Sequence, residues 1–127
     1  MNYKKLLLLA HNHFEYKTNL TTKSARLRVL DEEWWDCHSS DDALATSTMY
    51  PHEHVICLRE QEMVDRPPAY VLVDLLHEIT HEHVRPHNDK FYDLLQQCGV
   101  VLGDFVDDEY RSEAPSKELK ELVKCLV

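Results

Sequence analysis

Glycine is nearly absent from this 127-residue chain, with two in the whole sequence. So few leave no glycine-rich loop that could wrap a phosphate chain. Long hydrophobic runs are missing too. Leu6 to Ala10 after Lys4-Lys5 imitates the start of a signal peptide, but His11-Asn12-His13 ends the run without a small-residue cleavage site. No stretch approaches transmembrane length. The four cysteines, Cys37, Cys57, Cys98 and Cys125, form no CxxC pair. Without a secretion signal they read as free thiols of an intracellular protein, nuclear or cytoplasmic. Cys125 stands one place off a CaaX box, so lipidation is not indicated. Internal repeats and low-complexity linkers are also lacking. What remains is one domain, 43% apolar, with a single core.

Charge is unevenly spread. The chain carries −9 overall, yet residues 1–30 hold Lys4, Lys5, Lys17, Lys23, Arg26 and Arg28 against Glu15 alone, a net of +5. The remainder is therefore −14. A basic arm on an acidic body is either a local nucleic-acid contact or a solvated helix face, and composition leaves both readings open.

The chemistry concentrates in His77-Glu78-Ile79-Thr80-His81, followed by Val84-Arg85-Pro86-His87. Residues four apart on a helix share one face, so His77 and His81 present their imidazoles to one point. His87, six residues further on, closes a three-ligand site after the helix ends. Three protein ligands leave a fourth position for water, the mark of a catalytic rather than a structural zinc. Glu78 lies about 100° around the helix from His77, within reach of that water's proton. The expected metal is Zn²⁺, held by His77, His81 and His87, with Glu78 as general base.

Periodicity supplies the frame. Residues 3–16 read as a helix, Arg26–Leu30 as a strand, and 43–50 and 54–59 as strands joined through Pro51-His52-Glu53. Asp31–Asp42 reads as an acidic loop in which Trp34-Trp35 serves packing, and Gln61–Arg66 as a polar loop. Pro67-Pro68 opens a helix over about 68–84, with Leu72, Leu75, Leu76 and Ile79 on its greasy side. His77, His81, Tyr70 and Asp74 lie opposite. Asp74 is a candidate to orient a ligand imidazole or a plain solvated acid, and His83 reads as a bystander. Asn88 caps a helix over 89–98 that Gly99 stops. Asp104–Glu109 reads as an acidic loop and 116–127 as an amphipathic helix. His52 and His54 are left unassigned.

The run from Tyr70 to His81, then Arg85-Pro-His-Asn-Asp-Lys-Phe-Tyr92-Asp-Leu-Leu95, resembles the WLM family of zinc metalloproteases. These are relatives of the Spartan, or SprT-like, proteases that degrade proteins crosslinked to DNA. The likeness spans residues 53–99. It rests on a threonine before the second His, Pro-His at the third ligand, and an aromatic pair opening the next helix; Val55–Arg59 resembles the preceding strand. It implies an α+β zincin-like fold: a small twisted sheet, an HExxH helix and flanking helices. It also implies His77, His81 and His87 as zinc ligands, Glu78 as catalytic acid/base, a protein substrate, DNA as a partner, and the strand at about 43–50 along the cleft. Arg85-Pro86 departs from the Gly-Pro often found in the family. The metzincin spacing is matched too, but Val84 replaces the helix-ending glycine and no Met follows His87. Endoribonucleases with similar three-His spacing lack the HExxH glutamate. A non-proteolytic zinc domain that binds a partner, and a zinc hydrolase of another bond, remain the alternatives. Tyr70, Tyr92, Arg85 and Tyr110 are equal candidates to stabilise an oxyanion.

Overall fold

The computed structural model describes residues 2–23, 25–38, 45–49 and 53–126. They form a small mixed α+β domain organised around one buried helix. The first helix, α1 (Tyr3–Thr18), starts where the Asn2 side chain accepts a hydrogen bond from Lys5 N, and ends at Asn19 in the left-handed region, φ 59°. Leu6, Leu7, Ala10 and Phe14 recur at helical spacing and all are buried, which explains why this helix lies flat on the core.

A three-stranded sheet follows, ordered β1-β3-β2. Strands β1 (Ala25–Leu30) and β3 (His54–Arg59) pair in parallel, and β2 (Ala45–Met49) runs antiparallel to β3 with Ser47 opposite Ile56. The expected antiparallel pairing is present, although residues 50–52 of the connection, His52 included, lie outside the described residues. The central strand is buried on both faces. Ile56 and Leu58 face the main core, whereas Val55 and Cys57 pack with Trp35 in a smaller one. That second cluster explains a difference from the sequence reading. Residues 32–38 form a helix, α2 (Glu32–His38), rather than a loop. It covers the outer sheet face with Trp35, 1% exposed, and Glu32 holds Arg59 through two bonds of 2.7 and 2.6 Å. A short helix α3 (Glu60–Met63) takes the first half of the expected polar loop, because Met63 is drawn into the core, while residues 64–66 stay outside any helix or strand.

Helix α4 (Pro68–Thr80) is the centre of the molecule. Proline at its first position costs no hydrogen bond. Val71, Leu72, Leu75, Leu76 and Ile79 are fully buried, and α4 touches α1, β2 and three elements downstream. Each such side chain stabilises the fold by about 1.5–3 kcal/mol; Leu76→Ala is expected to cost roughly 2–5 kcal/mol. The helix stops at Thr80, four residues earlier than its periodicity suggests. Thr80 Oγ1 bonds back to Leu76 O at 2.7 Å, and Val84 N reaches Thr80 O at 3.0 Å.

Asn88 caps α5 (Asp89–Gln97) by accepting from Phe91 N at 3.1 Å. Gly99, φ +95°, then turns the chain; a Cβ there would sit 2.8 Å from Ser116 Oγ. Beyond it the expected acidic loop is part of a continuous two-stranded ribbon. Strands β4 (Val100–Leu102) and β7 (Glu113–Pro115) pair, as do β5 (Phe105–Val106) and β6 (Glu109–Tyr110). Gly103 N to Ser112 O and Arg111 N to Asp104 O carry the same register between them. The tip is Asp107-Asp108, both with positive φ, the backbone of a type I′ turn that Asn-Gly usually fills. Helix α6 (Lys117–Lys124), capped by Ser116, closes the domain through Leu119. No helix among the described residues is long and apolar enough to cross a membrane.

Candidate metal centre

The three histidines of the motif meet. His77 projects from the last turns of α4, His81 caps its end in a right-handed conformation (φ −63°, ψ −15°), and His87 sits at the centre of the tight turn in which Asn88 N bonds to Pro86 O. His87 Nε2 lies 3.2 Å from His77 Nε2 and 3.1 Å from His81 Nε2. One ligand atom from each of the three falls within 4.8 Å of the others. A tetrahedral zinc with bonds of about 2.0–2.1 Å sets its nitrogens about 3.3 Å apart, so the spacing fits.

The remaining ring nitrogens show the same purpose. His77 Nδ1 donates to Glu113, 2.8 and 3.0 Å from the two carboxylate oxygens, and His81 Nδ1 donates to Val84 O at 3.1 Å. With Nδ1 protonated, the Nε2 lone pairs are free and aimed inward, the arrangement metal-binding histidines require. Phe91 forms the floor: its buried ring lies 4.9, 4.6 and 4.9 Å from the rings of His77, His81 and His87.

Electrostatics divides the triad. Burial lowers the pKa of His81 to about 4, and repulsion from His77 adds to the effect. His87 is lowered for the same two reasons. Burial also opposes a proton on His77, but the Glu113 bond and charge outweigh it, and its pKa rises. Two imidazoles are thus kept neutral and ready to ligate, while a proton competes for the third.

Glu78 is 6% exposed. Burial raises its pKa, against the pull of His77 and a hydrogen bond with Ser47 on β2. It borders two cavities that meet at His77, Glu78 and Ala45. One, about 410 Å³, is lined by Arg66, Tyr70, Tyr110 and Arg111 among others. The other, about 310 Å³, reaches Ser47, Met49, Arg85 and His87. Together they form a cleft along β2, an edge strand of the sheet among the described residues.

Glu113 is the residue that sequence reasoning missed. It lies 36 positions beyond His77 in a segment without a recognisable motif, and only the ribbon brings it back. Asp74, the candidate for this role, is engaged elsewhere, bonded to Arg66 at 2.6 and 2.9 Å. Of the four oxyanion candidates, Tyr70 and Tyr110 line one arm of the cleft and Arg85 the other. Tyr92 is 7% exposed and packs edge to face against Tyr110, so it serves as a wall.

Behind the site, Glu82 anchors the turn that follows His81. Its carboxylate bonds His54 Nδ1 and Lys23 N, both at 2.7 Å, and the side chains of His54 and Glu82 are 0% and 3% exposed. His83 donates to Thr21 O at 2.7 Å and stacks on Phe14. It is no ligand, but it docks the helix end on α1.

The basic arm is partly neutralised: Lys17 bonds Glu118 at 2.8 Å, and Arg26 lies 3.6 Å from Glu53. Comparison with protein-family models, curated proteins and solved structures finds no match for this chain.

Proposed function

We propose that this chain is a zinc-dependent endopeptidase of zincin-like fold, and that Glu78 is its general base. The observation that carries the reading is the convergence of three Nε2 atoms whose other nitrogens are tied to Glu113 and Val84 O, beside a buried carboxylate that is not needed as a ligand. Zinc held by His77, His81 and His87 would polarise the scissile carbonyl and lower the pKa of water at the open position.

The protein's own groups do the rest. Glu78 accepts a proton from the attacking water and passes it to the departing amine nitrogen, so the peptide bond is exchanged for a carboxyl and an amine with no other reactant. Its upward pKa shift brings it closer to neutrality, where such a shuttle works best. Strand β2, an edge strand of the sheet among the described residues, runs along the cleft and holds an extended polypeptide by strand addition. Tyr110, Tyr70 and Arg85 stand at the cleft walls to receive the developing oxyanion. The WLM resemblance adds proteins bound or crosslinked to DNA as substrates.

A domain that merely binds a partner has no use for a buried carboxylate beside the ligands. The deciding experiment measures cleavage of an unfolded protein, with and without single-stranded DNA, by the parent chain and by Glu78→Gln. Glu78→Gln is expected to keep its zinc and lose about 10²–10⁴-fold in turnover. Equal turnover of the two proteins would overturn the assignment of Glu78. A zinc-loaded parent inactive on every polypeptide would overturn the peptidase reading.

A further inference from the structure

Arg66 and Asp74 line the same cavity as His77 and Glu78, yet the hydrolysis described above uses neither. On the peptidase reading, we infer that Arg66 selects the substrate. It receives the side-chain carboxylate of a Glu or Asp one or two residues from the bond that is cut.

The guanidinium is held in place. Arg66 Nε and Nη2 donate to the two oxygens of Asp74 at 2.6 and 2.9 Å, and the two side chains are 23% and 12% exposed. The group lies 5.6 Å over the ring of Tyr70, and Arg66 N bonds to Met63 O at 3.3 Å. A planar fork pinned between a carboxylate and an aromatic ring has little freedom left to lose on binding.

It also has donors to spare. Of a guanidinium's five N–H groups, two are spent on Asp74, and both on Nη1 have no partner among the described residues. Nη1 is not sealed off, for His11 Nε2 and His54 Nε2 are the buried side-chain atoms left without a partner there. The acids around the cavity are committed instead. Asp74 turns both oxygens to Arg66, Glu113 turns both to His77, and Glu78 bonds with Ser47. Arg111, bonded to Asp107 at 3.1 Å, adds a second positive charge to the wall. A carboxylate gains most from such donors, a lysine finds no carboxylate that is not already engaged, and an aliphatic side chain would cover the donors without satisfying them.

The reach fits. Asp74 precedes His77 by three residues, about 4.5 Å along the helix axis, and an extended chain advances about 3.3 Å per residue. A polypeptide on β2 with its scissile bond at the triad therefore brings a side chain one or two residues away beside this arm.

The test uses the zinc-loaded full chain and unstructured peptides blocked at both ends. Glu, Gln, Leu or Lys stands in turn at the two positions on each side of the central bond. At the best position the parent should cleave the Glu peptide with kcat/KM about tenfold or more above Gln and Leu, with Lys lowest. Arg66→Gln/Asp74→Asn leaves no buried carboxylate unpaired and should keep its circular dichroism and zinc, while the Glu-to-Gln ratio falls to about one. A merely structural role would slow all peptides alike and preserve the ratio. Fluorescence anisotropy with zinc-loaded Glu78→Gln, which binds without turnover, should show the same preference and its loss when the Arg66→Gln/Asp74→Asn pair is added. Selective binding by a parent that cleaves nothing would support the carboxylate site and sink the peptidase reading. Cleavage without preference for Glu, a preference that survives loss of Arg66, or neither cleavage nor Glu-selective binding would each overturn the inference. So would a Gln peptide that outcompetes Glu once its C-terminal carboxylate is unblocked, for the arm would then read chain ends.

Discussion

Histidines stand both in front of α4 and behind it, and the two groups do opposite work. In front, His77, His81 and His87 turn their Nε2 atoms towards one point, and Glu113 and Val84 O hold the outer nitrogens of the first two. Behind, His54 spends its bond on Glu82, His83 on Thr21 O, and His13 on Cys98 O at 2.7 Å. The first joins β3 to the turn after α4, the second joins that turn to the segment after α1, and the third joins α1 to the end of α5. The lesson is that a histidine's role is set less by its burial than by where its second nitrogen points. His54 is fully buried and structural, whereas His87 is exposed and placed to ligate.

The largest effect should come from removing a front histidine. His87→Ala leaves two imidazoles, and zinc affinity should fall on the order of a hundredfold or more. The fold should survive, because His87 belongs to neither hydrophobic cluster. Competition with a chromophoric chelator measures the affinity, and circular dichroism checks the fold. Unchanged affinity would mean that His87 is no ligand.

Next comes the carboxylate that serves the front group. Glu113→Gln keeps a hydrogen-bond acceptor near His77 but removes the charge, so zinc affinity should drop about 10–100-fold. Its pH dependence should also change. In the parent, the raised pKa of His77 makes a proton compete with the metal from somewhat above pH 6.5 downwards, costing about tenfold in apparent affinity per pH unit. Without Glu113 that onset should shift to lower pH. His81 acts with the other sign on stability. Its pKa is about 4 in the fold against 6.5 ordinarily, so the unfolded chain takes up a proton that the folded one refuses. Metal-free protein should therefore lose stability as pH falls from 6.5 towards 4.

The smallest effect on the metal should come from the rear. Glu82→Gln keeps the side chain's size but weakens its hold on His54 and Lys23 N, loosening the turn after His81. A thermal midpoint several degrees lower and a zinc affinity reduced about threefold to tenfold are expected. A variant that loses zinc as completely as His87→Ala would erase the distinction between the two groups.

Much of this was legible in the chain. The spacing of His77, His81 and His87 pointed to a triad that the structure brings close enough to hold a metal ion, and α1, β1, β3, α5 and α6 followed from periodicity and caps. Local pattern misled where tertiary contacts decide. Residues 32–38 are too polar to advertise a helix, and only the need to cover Val55 and Cys57 makes them one. Asp107-Asp108 hides a hairpin because its turn lacks the usual Asn-Gly. Glu113 carries no local sign at all. Its importance exists only once ten or so intervening residues have paired and returned it to α4.

Phe91, Glu113 and Val84 O hold the ligand rings, and this has a consequence for which metal ends up bound. The donor set itself, three imidazole nitrogens, is the same for every first-row divalent ion. Intrinsic preference then follows the Irving–Williams series, in which copper outranks zinc. Protein exposed to equal zinc and copper should load copper, as mass spectrometry of the intact complex would register; preferential loading of zinc would show a selectivity these nitrogens do not provide. On the proposed reading, which ion fills the triad is set by supply, and by whatever delivers it, more than by the three nitrogens.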